Sequence, residues 1–369
     1  LDMGAPGQAQ MDAQQIQGVL VNKESAVNPI PIVYGTRRVG GSRVFLSTDG
    51  DSNKYLYIAL VLSEGQVNGY TKLYLDDNEI PLSSYTHGTV ATPSSGDYTG
   101  RLQAQFFDGR DSQAVSSVLQ ETPNWTAEHT LSGLSYLACR FEWKKVETQE
   151  DADNNPYKGL PKINVILQGK KIFDTTTLVS SHTTAYADET TTHTNNPVSV
   201  LIDYMRNPRY GKGLGNDFFD WTSIGVAADL CEQTVQYTSS TTGKAFTTDA
   251  VVDSGQTLMN NTKRLLSGFR GIMPYQTGQY HLKIEHGGDD TDIAATPTDP
   301  LTTYTITTDH LIGGVQLQAP SKKNKINRAV LTFVDPDANY QAEQVVYPTD
   351  ASADDITFLA EDGIRLEKK

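Results

Sequence analysis

The stretch KYLYIALVLSEG, residues 54–65, limits the fold more than any other part of the chain. Tyr55, Tyr57, Ala59 and Val61 alternate with Leu56, Ile58, Leu60 and Leu62, so a strand there is apolar on both faces. Such a strand has to be covered from two sides, which calls for a layered β structure. Its apolar run, 56–62, is far too short to span a bilayer.

The surrounding sequence agrees. TKLYLDDNEIPL (71–82) predicts two strands joined by a turn at Asp76, Asp77 and Asn78. RLQAQFFDG (101–109) and LSGLSYLACRFEWKKVE (131–147) predict strands, and VSSVLQETPNW (115–125) a short helix ahead of Pro123. KINVILQGKKIFD (162–174) predicts a strand with a turn centred on Gly169. Residues 1–175 therefore form one predicted β-rich unit, with a loop-rich insertion at about 81–130.

A threonine-rich connector follows at 176–196, and then the periodicity changes to helix. NPVSVLIDYMR predicts a helix capped by Asn196, with Pro197 in its first position and an end at Asn207, before Pro208. A second helix is predicted over 217–233 with Asp217 as its cap. A third is predicted over 253–271 with Asp253 and Gln256 as a capping box and Gly271 as its stop. Residues 272–288 predict a hairpin around Thr277-Gly278, which closes an α/β segment at 197–290. From 291 to 369 the pattern returns to strands: TYTITTDHLI, GVQLQAPS, a long hairpin about Asp335-Pro336-Asp337, and DITFLAEDG. The expected class is α+β, mainly β.

Composition excludes some functions. The net charge is −14 and the pI about 4.9, so the surface has no cationic excess for general binding to nucleic-acid phosphates. Cys139 and Cys231 lie in apolar contexts and are predicted to be buried thiols. Residues 1–15 lack the basic-then-apolar pattern of a signal peptide. EDGIRLEKK (361–369) reads like the start of an element, so a longer gene product is expected.

The motif with most chemical suggestion is NPRYGKGLG, 207–215. A phosphate loop needs Gly, four residues and then Gly-Lys-Ser/Thr, but Lys212 is followed by Gly213 and Leu214. A dinucleotide fingerprint follows a strand, and this stretch follows a predicted helix. The pattern predicts a corner between helices in which Pro208 ends one helix and Gly211 and Gly213 permit unusual backbone angles. Asp49-Gly50-Asp51-Ser52-Asn53 imitates the start of a calcium loop, but Lys54 and Leu60 stand at positions six and twelve; Asp151–Asn155 departs in the same way, at Pro156 and Lys162. Both predict hairpin tips, with a weak cation site as the alternative. His281 and Glu285 share a strand face without an evident third ligand. There is no Gly-x-Ser-x-Gly elbow, and nothing singles out a carboxylate pair, so no catalytic residue, cofactor or metal is expected.

Taken in order, NPIPIVYGTRRVGG (28–41), KYLYIALVLSEGQVNGYTKLYLDDNEI (54–80), LSYLACRF (134–141), GLPKINVILQGKKIFD (159–174), IDYMRNPRYGKGLG (202–215), GFRGIMPYQTGQYHLKIE (268–285) and NKINRAVLTFVDPDANYQAEQVVYP (324–348) resemble the central tail hub, or tip attachment protein J, family of lambda-like bacteriophages. The resemblance implies a homotrimer at the distal end of the tail. It implies two hub-type β-barrel domains per chain: the first from 1–80 with 131–175, the second, incomplete, in 291–369. The implied partners are the distal tail ring and other tail-tip proteins, with a tape measure protein in the lumen and DNA passing without specific binding. It makes Asn207, Pro208, Arg209, Tyr210, Gly211 and Gly213 structural or interface residues, with Arg209 and Tyr210 pinning the corner to a neighbouring element or subunit. The alternatives are a tail-associated enzyme that degrades cell wall or glycan and a secreted β-domain adhesin.

Overall fold

The computed structural model describes residues 20–23, 29–143, 148–149, 155–157, 159–178, 191–237, 240–286, 307–314 and 325–368. Expectations for residues 1–15, for Asp151–Asn154, for 179–190 of the connector and for strands at 303–306 and 315–321 lie outside these residues. The chain divides into two compact units, Leu20–Thr296 and Leu1–Val19 with Pro297–Lys369.

In the unit Leu20–Thr296 the first ten strands are β1 (Pro31–Val33), β2 (Thr36–Val39), β3 (Ser42–Asp49), β4 (Tyr55–Glu64), β5 (Val67–Leu75), β6 (Asn78–Ile80), β7 (Val90–Ala91), β8 (Leu102–Asp108), β9 (Leu134–Glu142) and β10 (Ile163–Lys170). All but β1 build two antiparallel sheets, ordered β3-β4-β9-β8-β7 and β2-β10-β5-β6. β4 is buried on both faces. Tyr57, Ala59 and Val61 pack under Leu119 and Trp125, from the loop between β8 and β9. The opposite face looks toward the second sheet, where the Tyr70 ring lies 4.8 Å from Phe106. Asp76 and Asp77 both take left-handed backbone angles, the geometry of a tight two-residue hairpin, and set Leu75 opposite Asn78. The expected short helix is a single 3-10 turn, Leu119–Glu121.

The chain is α+β and mainly β. Among the described residues neither sheet closes into a barrel: β3 and β7 end one, β2 and β6 the other, and no strand pairing joins them.

Short pairs follow: β11 (Ile172–Phe173) with β12 (Thr191–Thr192), β13 (Thr234–Gln236) with β14 (Thr242–Lys244), and β15 (Val251–Asp253) with β1. Between and after them run helices α1 (Pro197–Arg206), α2 (Trp221–Glu232) and α3 (Leu258–Ser267). A nested hairpin ends the unit, with β16 (Gly271–Ile272) against β19 (Lys283–Ile284) and β17 (Tyr275–Gln276) against β18 (Gln279–Tyr280). Thr277 and Gly278 turn it through positive φ, at the expected place. The helices share one core with the strands. Val198, Leu201, Ile202, Ile224, Ala228, Cys231 and Phe269 pack with Ile32, Tyr34, Ile172 and Phe173.

Four local expectations are corrected. Gly169 is no turn but sits inside β10, where the backbone of Val33 comes so close that a Cβ would lie 2.3 Å from its carbonyl oxygen. α2 is capped by Asp220, which accepts from the Ser223 N–H at 3.4 Å. Asp217 lies in a separate 3-10 turn, because the chain extends at Phe219 to bury that ring. α3 is capped by Thr257 and ends at Gly268, because Asp253 pairs with Pro31 in a strand. DITFLAEDG is helical, not extended.

That helix belongs to the other unit. There β20 (Arg328–Asp335) and β21 (Gln341–Tyr347) form the expected hairpin, and β22 (Glu367–Lys368) adds to β20 in parallel. α4 (Ala353–Asp362) starts at a Ser352 cap, bonded to the Asp355 N–H at 3.2 Å, and stops at Gly363 in the left-handed region. These two ends outweigh the strand preference of Ile356, Thr357 and Phe358.

Candidate functional site

α1 is buried along Pro197–Met205, and one of those residues, Asp203, is charged. Asn196 starts the helix by accepting from the Val198 and Ser199 N–H groups at 3.0 and 3.4 Å. At the other end Asn207 leaves helical geometry, as a residue before proline tends to do. Its side-chain oxygen accepts from the N–H groups of Arg209 and Tyr210 at 2.9 and 3.3 Å, an Asx turn. Its carbonyl accepts from Gly211 and Gly213, both at 3.1 Å, while Lys212 and Leu214 donate to the Met205 carbonyl. The corner thus consumes its own N–H groups, the reverse of a phosphate cradle, which points them at a ligand.

The two glycines serve for different reasons. Gly213 has φ +68°. Gly211 is not left-handed, but a Cβ there would stand 1.7 Å from the Tyr204 carbonyl oxygen.

The corner closes on a buried polar cluster. The Lys170 ammonium, at the end of β10, donates to both carboxylate oxygens of Asp203 at 2.8 and 2.7 Å and to the Tyr210 hydroxyl at 2.8 Å. Tyr34, fully buried between β1 and β2, donates to Asp203 Oδ2 at 2.7 Å. Tyr210 Oη lies 3.4 Å from the same oxygen, and its ring stacks on Tyr204 at 6.1 Å. Burial, then the Asp203 charge, pushes both phenols well above the usual tyrosine value, so they stay protonated donors. The Lys170 stem lies over Gly65, where a Cβ would meet Lys170 Cε at 3.1 Å. Beside it Arg209 Nε pairs with Glu64 Oε1 at 3.1 Å, with Glu64 almost covered and Arg209 70% exposed.

Chemically the cluster is a tie between layers. Its cation is paired, its carboxylate is saturated with donors, and its phenols hold their protons; none is poised as nucleophile or base. The sequence singles out Asn207, Pro208, Arg209, Tyr210, Gly211 and Gly213 as candidates, and all six lie in this corner, but it does not single out Tyr34, Glu64, Lys170 or Asp203, which the fold brings to it. One signal was present: an aspartate within the apolar run VSVLIDYM has to find a partner once that helix is buried on all sides.

The other candidates resolve as local structure. Asp49 accepts from the Gly50 N–H at 2.7 Å, and Asn53 accepts from the Thr48 hydroxyl at 3.0 Å, within the turn between β3 and β4. His281 Nδ1 meets Asp220 Oδ2 at 2.9 Å, while Glu285 pairs with Arg270 at 3.8 Å. Among the described residues no group of three metal-ligating side chains converges. Cys139 and Cys231 are buried and unpaired, and burial pushes both thiols up, that of Cys231 to about 12. Among the described residues no helix is long and apolar enough to cross a membrane.

The chain matches no protein-family model. It is 20% identical over 380 residues to the baseplate hub protein pb3 of Escherichia phage T5, an alignment covering 86% of this chain. The chain spans 37% of that relative's length. Among solved structures, a chain from the virion of a native gene transfer agent particle aligns with TM-score 0.49 and 14% identity, covering 90% of this chain and 68% of that one.

Proposed function

We propose that this chain is a structural hub protein of a phage tail, built in the manner of the J-type tip proteins and without enzymatic activity. The observation that supports the proposal is the likeness to a baseplate hub protein over 86% of the chain. The saturated cluster at the corner supports a scaffolding role for it. In this proposal residues 1–175, with the insertion at 81–130, form the first hub domain, 197–290 the α/β domain and 291–369 part of the second hub domain. Three copies surround the DNA exit path at the distal end of the tail, meet the tail ring and other tip proteins, and leave space for a tape measure protein. The net charge of −14 fits such a path, since a lumen of like sign lowers adhesion of the passing phosphates. In this proposal Arg209, which is mostly exposed beside its tie to Glu64, meets a neighbouring subunit.

The test is the mass of the purified chain, alone and mixed with tail-ring protein, with negative-stain images. A species of three times 40.4 kDa with a central ring, or a ring formed once the tail-ring protein is added, is expected. A monomer that binds no tail-ring protein, or turnover of peptidoglycan or capsule by the chain, overturns the proposal.

A further inference from the structure

β8 is paired with β9 from Leu102 to Asp108, but on its other side β7 covers only Ala104 and Gln105. Beyond those two residues the turn Thr86–Thr89, from the loop between β6 and β7, takes over the edge. The Gly88 N–H donates to the Phe106 carbonyl at 2.8 Å, and the Gly88 carbonyl accepts from Gln105 Nε2 at 2.7 Å. The next donor along β8, the Asp108 N–H, is met by a side chain in place of a strand. His87 Nδ1 accepts from it at 3.1 Å. The same imidazole stands edge-on to the buried Phe107 ring, with the centroids 5.5 Å apart.

His87 Nδ1 also lies 2.9 Å from Asp108 Oδ1. One nitrogen cannot serve both partners. With its lone pair it accepts from the N–H; with a proton it can only donate to the carboxylate. Asp108 already has its cation. Arg110 donates to it from Nε at 3.0 Å, from Nη2 at 2.6 Å and from its backbone N–H at 3.3 Å, and Gln66 Nε2 adds a longer bond at 3.4 Å. Asp108, on β8, and Arg110, on the loop after it, are the charged groups that act on His87. A protonated His87 puts two cations on one carboxylate, where the His87 and Asp108 side chains are 20% and 9% exposed. Burial, the largest influence, holds the imidazole below its ordinary value; the Asp108 charge works against this and the Arg110 charge with it.

We propose that His87 is an acid-released latch: neutral, it holds the turn Thr86–Thr89 on the edge of β8, and protonated, it lets that turn go and uncovers Phe107. The proton enters at Nδ1, and the Asp108 N–H loses its acceptor. The closed turn disfavours the proton, so the latch is complete above the ordinary imidazole value of 6.5 and is lost as pH falls through that value and below it. The proposal does not rest on the hub reading.

Amide hydrogen exchange of the full chain tests it, at about pH 7.5 and at about pH 5, above and below 6.5, with each amide's intrinsic rate divided out. Protection of Gly88 and Asp108 is expected to fall by about threefold or more in acid, while the amides of β4 keep theirs. His87→Gln, which takes up no proton, is expected to show no such difference between the two conditions. Arg110→Gln leaves the carboxylate to the imidazole alone, and is expected to shrink the acid loss by about half or more. Protection that is unchanged or greater in acid overturns the proposal. So does an acid loss that persists in His87→Gln, that is undiminished in Arg110→Gln, or that β4 shares.

Discussion

Replacing Lys170 by methionine tests whether the polar cluster ties the helical corner to the β layers. Methionine fills much of the space of the lysine stem over Gly65 but leaves the Asp203 carboxylate without its cation. The two side chains are 15% and 10% exposed, so solvent recovers little of the lost interaction. Removing one partner of a buried ion pair costs about 3–5 kcal/mol. The Tyr34 donor still reaches Asp203, which places the expected loss near the lower end, about 3 kcal/mol. For domains of this size each kcal/mol moves the melting temperature by about 2–4 °C, so a fall of roughly 6–12 °C is expected. Asp203→Asn leaves the ammonium unpaired and should cost a similar amount. The double variant removes both charges and keeps an amide oxygen for Tyr34, so it should be more stable than the sum of the singles implies, by about 2 kcal/mol. Urea unfolding followed by fluorescence measures all three. Single variants that each cost under about 1 kcal/mol, or costs that simply add, would refute the tie.

Gly211→Ala should destabilise by about 3 kcal/mol, since its Cβ meets a carbonyl oxygen, while Gly215→Ala, with open space around it, should be nearly neutral by the same urea assay. Arg209→Ala should change stability by less than about 1 kcal/mol, because its guanidinium is mostly in water, and yet weaken tail assembly. Normal assembly in complementation would remove Arg209 from the interface. Tyr34 and Tyr210 have folded values raised above the ordinary value of 10.0, so their contribution is complete below that pH and is lost as pH rises past it. Urea midpoints should therefore begin to fall as pH approaches 10.0 and go on falling above it, and less so in Tyr34→Phe. Arg365 holds the Asp355 carboxyl down at about 2, so its contribution is present above the usual carboxylate value of 3.8 and is lost as pH falls toward 2; helical signals of α4 should fade over that window, and not in Asp355→Asn, which has already lost the pair.

Much of the fold was legible because it is written in short-range pattern. The two apolar faces of β4, the Asp76-Asp77 turn, the Asn196–Pro197 start of α1 and the Thr277-Gly278 hairpin each depend on residues within a few positions of one another. The errors share a cause as well. Asp217, Asp253 and Gly169 each had a plausible local role, and each was reassigned by a distant contact: burial of Phe219, pairing of Asp253 with Pro31, and the approach of Val33 to β10. In α4 the reverse occurred, and local caps prevailed over an apparent strand alternation.

The corner joins both cases. Its backbone was readable, since Asn207, Pro208 and the glycines act on each other inside nine residues. Its purpose was not, because Lys170 lies 33 residues before Asp203 and Tyr34 lies 169 before it. A buried ion pair adds little net stability over an apolar replacement, but it is strict about where its partners stand. An apolar contact between α1 and β10 would tolerate a shift of either element along the other. Lys170, which donates to Asp203 and Tyr210 together, tolerates far less, because displacement strands a charge in the core. The cluster is therefore best understood as setting the register of the helical corner on the sheets, and Arg209 and Glu64 hold the corner's exposed rim in the same position. A part whose task is to hold its geometry within a larger assembly requires that strictness more than it requires additional stability.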